Sequence, residues 1–237
     1  MVKSISIIGA GHFGTFVSAL VPKPVEMELI DERRWRRALE AAGDRLWSSD
    51  VIVLAIPLPA YPKVLAGLAG HLRPETLVVD VCSVKLRPAE LLTQFLPGHP
   101  NLLLTHPLFG PQSAAHGTAG HHLVVTSERG ERARKLVGFC ERELGLVIDR
   151  MSADKHDRIM AQVHSLTFFV ARGLSDMGLT ETPIMTPSFQ MVLDLVAFND
   201  SQSDELFRTI EEGNPFAVNM RRRLIASLER TDEELAA

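Results

Sequence analysis

The segment Ile7–Gly14, "IIGAGHFG", follows the short run that opens the chain and carries three glycines, Gly9, Gly11 and Gly14. A strand over 2–9 brings the chain to Gly9, a helix through "HFGTFVSAL" leads it away, and Gly14 falls in that helix's first turn. A turn of this kind aims backbone N–H groups and the positive helix end at a pyrophosphate, and Gly11 lets the phosphate approach the backbone. Glycine is common in tight turns, so the spacing carries weight only in the right surroundings. These are present: "VEMELID" (25–31) reads as a second strand closed by Asp31, whose carboxylate can bind the ribose hydroxyls of NAD. Arg33 and Arg34 follow directly and keep NADP open, since either can meet a 2′-phosphate. The cofactor contacts expected are Gly9, Gly11, His12, Phe13, Gly14 and Asp31, with Ile56 and Pro57 of "AIPLP" (55–59) and Ser83 of "DVCSVK" (80–85).

Further strands follow at helix-length intervals: "VIVLAIP" (51–57), "TLVVDV" (76–81), "NLLLT" (101–105), "HLVVT" (122–126) and "GLVID" (145–149). Several are unbroken apolar runs, as in strands covered on both faces. Strands joined by helical connections make βαβ units and a mostly parallel sheet. Beyond residue 150 the strands stop. Ser152 or Asp154 can cap a long helix, "TETPIMTP" (180–187) breaks it, "SFQMVLDLVAF" begins another, and the last stretch splits at Gly213-Asn214-Pro215. The fold class is α/β: a Rossmann-type, doubly wound parallel sheet over 1–150 and an all-helical domain over 151–237.

Bulk properties narrow the partners. Hydrophobic residues make up 46% and charged residues 23% of the 237 positions, the balance of a soluble globular protein. A net charge of −4 gives no electrostatic reason to expect nucleic acid or an anionic membrane surface. No run approaches the roughly 20 apolar residues of a spanning helix, and no secretory leader is expected. Cys82 and Cys140 form neither a disulfide framework nor a zinc set, which points to a reducing cytoplasm.

Ligands of an open parallel sheet lie beyond the carboxyl ends of its strands. "DVCSVK" puts Ser83 and Lys85 there, near a nicotinamide, and "THPLFGP" (105–111) puts His106 at a strand tip. A neutral imidazole in that position can accept the proton of a substrate hydroxyl while the carbon beneath gives up its hydride. Ser83 can hydrogen-bond the same hydroxyl. Together with "GAGHFG" and the helix opening "HDRIMAQVHSL", these stretches resemble the prephenate and arogenate dehydrogenases of tyrosine biosynthesis, closely over 1–175 and loosely beyond. The resemblance implies NAD(P)-dependent oxidative decarboxylation of a small cyclohexadienyl substrate. It makes His106 the catalytic hydrogen-bond acceptor, oriented by Ser83, and gives the helical half the substrate contacts and the interface of a homodimer.

The chain departs from that family in the helical half. Where members continue to a Gln and then a His, this chain has His164 and Phe168; where bacterial members carry substrate-clamping arginines, "SFQMVLDLVAFND" has Gln190 and Phe198. One reading assigns substrate contacts to His164, to His116 in the loop after His106, and to Arg172 or the run Arg221–Arg223. Another moves the substrate to an amino-substituted or less acidic cyclohexadienyl compound. A catalytically silent dinucleotide sensor and a reductase of an unrelated ketone or imine are the rivals.

His156, Met160 and His164 recur every four residues and share one helical stripe, with His156 helping the helix to start and His164 reaching substrate. The two histidines would lie about 12 Å apart at a rise of about 1.5 Å per residue, too far for one metal ion. "HGTAGHH" (116–122) lacks a thiol or carboxylate at useful spacing, so no metal is expected. Cys82 reads as simply buried, "RRWRR" (33–37) as an adenosine-phosphate contact or solvated surface, and Arg221–Arg223 as a solvated face.

Overall fold

Strands and helices alternate through the first part of the computed structural model, which describes residues 2–41 and 43–236. β1 (Ser4–Ile8), α1 (His12–Ala19), β2 (Glu26–Ile30), α2 (Glu32–Glu40), β3 (Val51–Leu54) and α3 (Tyr61–Ala69) come first. β4 (Leu77–Asp80), α4 (Leu86–Phe95), β5 (Leu102–Pro107), β6 (His122–Arg129), α5 (Glu131–Arg142) and β7 (Val147–Arg150) come next. They build one seven-stranded sheet in the order β2-β1-β3-β4-β5-β6-β7.

The strands from β1 to β5 are parallel. β6 runs antiparallel to β5, and β7 runs parallel to β6. The sheet is therefore mixed on one side rather than parallel throughout. Residues 108–121 between β5 and β6 form turns and no crossover helix, and without a crossover the chain returns antiparallel.

Each central strand feeds two cores. Ile8, Ile52, Leu54 and Val78 pack with Trp35, Leu65 and Leu92 on one face, while Ile7, Val51, Val53 and Val79 pack with Leu123 and Val137 on the other. Successive side chains of a strand point to opposite faces, so a sheet covered twice needs apolar residues at every position. That is why these strands read as continuous apolar runs.

The contacts divide the chain into two compact units, Met1–His156 and Asp157–Ala237. The helix expected from residue 152 is not uniform. α6 (Ala153–Met160) passes into a π-helical turn, Ala161–Ser165, before α7 (Leu166–Asp176). The wider turn shifts the angular position of the residues within and beyond it, so the stripe proposed for His156, Met160 and His164 is interrupted: His156 is fully buried and His164 half-buried.

α8 (Pro187–Asp200), α9 (Asp204–Gly213) and α10 (Ala217–Ala236) complete the helical unit, with the break at Gly213-Asn214-Pro215 where expected. Ser165 of the π turn donates to both carboxylate oxygens of Glu211 at 2.9 Å, and Arg221 donates to the same carboxylate. Arg221 is thus tied inward and not part of a solvated face. Arg222 and Arg223 are exposed.

Candidate active site

The three glycines of the first turn are required for different reasons. Gly9 has φ +116°, and a Cβ there would lie 2.0 Å from the carbonyl oxygen of Ala55. A Cβ on Gly14 would lie 1.8 Å from the carbonyl oxygen of Gly9. Gly11 is open: beyond its two chain neighbours, no other residue has an atom within 4 Å of where its Cβ would be. The fold demands the first and third glycines, whereas the second leaves room for something outside the chain. Gly11 is also the N-cap of α1, whose first turn has no capping side chain and no acidic residue. A pyrophosphate fits such a turn, because nothing of the chain's own takes its place.

The other expected cofactor residues stand along the same edge. Asp31 closes β2 and uses one carboxylate oxygen to cap α2 through the Arg34 N–H at 2.6 Å. Asp31, Glu32, Arg33 and Arg36 line a shallow surface hollow beside it. Arg34 is not available for a 2′-phosphate, since its guanidinium is held by Glu28 and Asp44 at 2.6 Å each. Ile56 reaches the glycine turn, and the exposed Pro57 follows it after β3. His12 is exposed, and Phe13 packs on Phe16, with ring centroids 6.0 Å apart. Phe16 in turn meets Phe109 edge-on at 6.1 Å, which joins the glycine turn to the loop after His106.

Strand order then sets the sequence of groups across the edge: Asp31, the glycine turn, Ile56 and Pro57, Ser83, and His106, after β2, β1, β3 and β4 and on β5 respectively. Four steps of about 4.8 Å span roughly 19 Å, a length suited to an extended dinucleotide. The residues present fit NAD, and Asp31 is the one that would meet its ribose.

The β4–β5 end is held by a buried network. Lys85 Nζ donates to the carboxylate of Asp80 and to the carbonyl of Thr105, and both charged side chains are fully buried. The Tyr61 hydroxyl donates to Asp80 at 2.5 Å, and the backbone N–H of Cys82 donates to the same oxygen at 3.0 Å. Burial, then the charge of Asp80, pushes the Tyr61 hydroxyl well above its ordinary range and keeps it a donor. Lys85 is therefore not presented to a nicotinamide as its place in sequence suggests. It fastens the end of β4 to the residue before His106. Cys82 is buried, as expected. Ser83 is half-buried, and its hydroxyl makes no hydrogen bond to another described residue.

His106 is 4% exposed, and its Nδ1 lies 2.9 Å from Nε2 of His156 with the rings nearly perpendicular, at 74°. Sequence reasoning gave His156 no part in the site. The pairing joins residues fifty positions apart, and no single strand's pattern reveals that.

The remaining candidates are scattered. His116 is exposed in the loop 108–121. Within the helical unit, His164 stands edge-on to Phe168 at 4.9 Å. Arg172 donates to Asp204 at 2.8 Å and lies 4.4 Å over the Phe207 ring, so its guanidinium already has partners. His121 stacks on Phe109 and His122 pairs with Asp149 at 2.6 Å. Among the described residues, no group of three or more His, Cys, Asp or Glu is placed to hold a metal ion.

Comparison with known proteins finds the same kind of nucleotide-binding fold. Residues 22–132 match the family described as prephenate dehydrogenase, nucleotide-binding domain, and residues 173–237 match TYRAAT1-like, C-terminal domain. Arogenate dehydrogenase 2, chloroplastic, of Arabidopsis thaliana is 32% identical over 250 residues, covering 98% of this chain and 69% of that protein. The 4-amino-4-deoxyprephenate dehydrogenase of Streptomyces pristinaespiralis is 31% identical over 219 residues, covering 85% and 72%. Prephenate dehydrogenase from A. aeolicus, solved in complex with hydroxyphenyl propionate and NAD+, shares the fold with a TM-score of 0.73 at 18% identity, over 100% of this chain and 91% of that one. With two relatives above 30% identity and both covered over more than two thirds of their length, the chain belongs to the prephenate and arogenate dehydrogenase family of NAD-dependent oxidoreductases.

Proposed function

We propose that this enzyme oxidatively decarboxylates arogenate, or a cyclohexadienyl compound that likewise carries an amino group, with His106 as the proton acceptor and Ser83 as a second hydrogen-bond partner of the ring hydroxyl. The observation that carries this reading is an imidazole at the carboxyl end of β5, on the edge that also bears the open glycine turn. NAD, when bound, supplies the hydride acceptor. His106 takes the hydroxyl proton as the carbon beneath it loses hydride, which leaves a carbonyl. Loss of carbon dioxide from the opposite ring position sends an electron pair through the ring, the carbonyl oxygen becomes a phenol oxygen, and His106 returns the proton. No proton is drawn from solvent, and aromatisation drives the step. The protein has to orient, accept and return a proton, and recognise carboxylate.

α8 carries no lysine or arginine. A substrate whose side chain bears its own ammonium beside its carboxylate asks for fewer protein cations than a keto acid, which supports the amino-bearing class. His164, His116 and Arg172 are proposed as substrate contacts, Arg172 on releasing Asp204. Steady-state assays of prephenate, arogenate and 4-amino-4-deoxyprephenate, each with NAD and NADP, test the proposal. The expected result is turnover with NAD and kcat/KM for arogenate, whose side chain carries the ammonium, at least about tenfold above that for the two keto acids prephenate and 4-amino-4-deoxyprephenate, about 1.4 kcal/mol of discrimination. His106→Asn is expected to abolish turnover while NAD affinity stays. No turnover with any pair would overturn the reading and leave a silent dinucleotide binder.

A homodimer formed through the helical unit is part of the same proposal. So is a cytoplasmic setting, which two cysteines outside any disulfide suit. Among the described residues, no helix is long and apolar enough to cross a membrane.

A further inference from the structure

Between Nδ1 of His106 and Nε2 of His156 there is room for one proton, and either ring can donate it. The choice decides what the far side of His106 can do. If His156 donates, His106 carries its own proton on Nε2 and offers a substrate only a donor. If His106 donates from Nδ1, its Nε2 holds the lone pair that a proton acceptor needs. We infer that His156 accepts this bond and so holds His106 as the Nδ1–H tautomer, which makes His156 the positioning residue of the reaction. The inference rests on the function proposed above for His106.

The surroundings suit that task. His156 is 0% exposed and lies in the first turn of α6, where its backbone N–H donates to the Ser152 carbonyl at 2.9 Å and the Ser152 hydroxyl caps Lys155 N–H at 3.1 Å. The ring is thus fixed by packing and by a capped helix rather than by a loop. The nearly perpendicular rings, with centroids 5.1 Å apart, allow the lone pair of one to face the N–H of the other. The bond also survives the chemistry: after His106 accepts the hydroxyl proton, its Nδ1–H remains and donates more strongly as part of a cation. A carboxylate in place of His156 would orient His106 equally well, but would set a permanent negative charge beside a substrate that is itself a carboxylate. A neutral ring orients without that charge.

The inference is tested first without substrate. In 15N-histidine-labelled wild-type protein, with His106→Asn used to identify the signals of that ring, NMR is expected to place the His106 proton on Nδ1. A proton on Nε2 overturns the inference. The second test is kinetic. His156→Leu removes the acceptor and is expected to lower kcat at least about tenfold with KM for NAD unchanged. His156→Gln presents an amide oxygen near the position of Nε2 and is expected to recover most of the lost turnover. Wild-type turnover in His156→Leu, or equal loss in both variants with a matching loss of thermal stability, shows a merely structural residue. If His156→Leu fails to fold, the wild-type spectrum and the Gln variant decide. If the wild-type protein turns over none of the candidate substrates, the functional proposal fails, while the spectrum still decides which ring donates.

Discussion

Gly11 and Gly14 look equivalent in the sequence, as two members of one spaced pattern, and physical space separates them. A methyl group on Gly14 would strike the carbonyl of Gly9 inside the chain's own turn, whereas one on Gly11 would meet no residue beyond its chain neighbours. Gly14→Ala is therefore expected to destabilise the fold by about 1–3 kcal/mol or more, the range for overpacking a tight site. Gly11→Ala is expected to change stability by less than about 1 kcal/mol, the scale of a helix N-cap exchange. It should still weaken NAD binding at least about tenfold, because the methyl occupies the space left for a phosphate. Denaturant unfolding and NAD titration of the two variants check this; an NAD affinity unaltered in Gly11→Ala would remove the phosphate from that turn. The pattern alone leads to the expectation of a phosphate turn but does not say which glycine leaves space beside it. That distinction lives in distances to Ala55 and Gly9, which sequence spacing does not contain.

The ends of β4 and β5 hold the side chains proposed for the chemistry, and one buried ion pair fastens them. Asp80 receives Lys85, Tyr61 and the Cys82 N–H, and Lys85 also reaches the carbonyl of Thr105, next to His106. Removing one partner of a buried pair leaves an uncompensated charge, so Lys85→Met is expected to cost about 3–5 kcal/mol of folding stability. The double variant Asp80→Asn/Lys85→Met is expected to cost less than Lys85→Met alone, since no buried charge is left over. Chemical denaturation of the three proteins reads both. A Lys85→Met protein as stable as wild type would mean that water reaches Asp80. Much of this element level is legible in sequence: the strands stand out because a sheet covered on both faces needs unbroken apolar runs, and the helix break at Gly213-Asn214-Pro215 is written in breakers. The reversed β6, the π turn at Ala161–Ser165 and the burial of Lys85 are not legible. The burial of Lys85 depends on its contacts with Asp80 and the Thr105 carbonyl, and a lysine after a strand tip reads the same whether it faces ligand or core.

The helical unit as a whole is short of interior. Its buried apolar side chains are few, Met160, Ala161, Phe168, Ala171, Ile210 and Ala217, and half of these are alanines. Large apolar side chains stand outside instead. Val218, Ile225, Leu228 and Leu235 on α10 are 41%, 44%, 61% and 84% exposed, and their successive spacings of seven, three and seven residues keep them on one side of the helix. On α8, Met191 and Phe198 are 71% and 42% exposed and also stand seven residues apart. A stripe with this repeat is the seam by which helices pack on helices, and a small unit with a thin core gains most from such packing. A second copy of this chain offers the matching stripe, and a twofold axis sets like against like. The enzyme is therefore expected to sediment as a dimer at micromolar concentration. Leu228→Asp combined with Met191→Asp is expected to shift it to monomer, with the Rossmann-type unit still folded and still binding NAD. A wild-type protein that sediments as a monomer throughout that range would show that these stripes face solvent, or another partner, rather than a second copy.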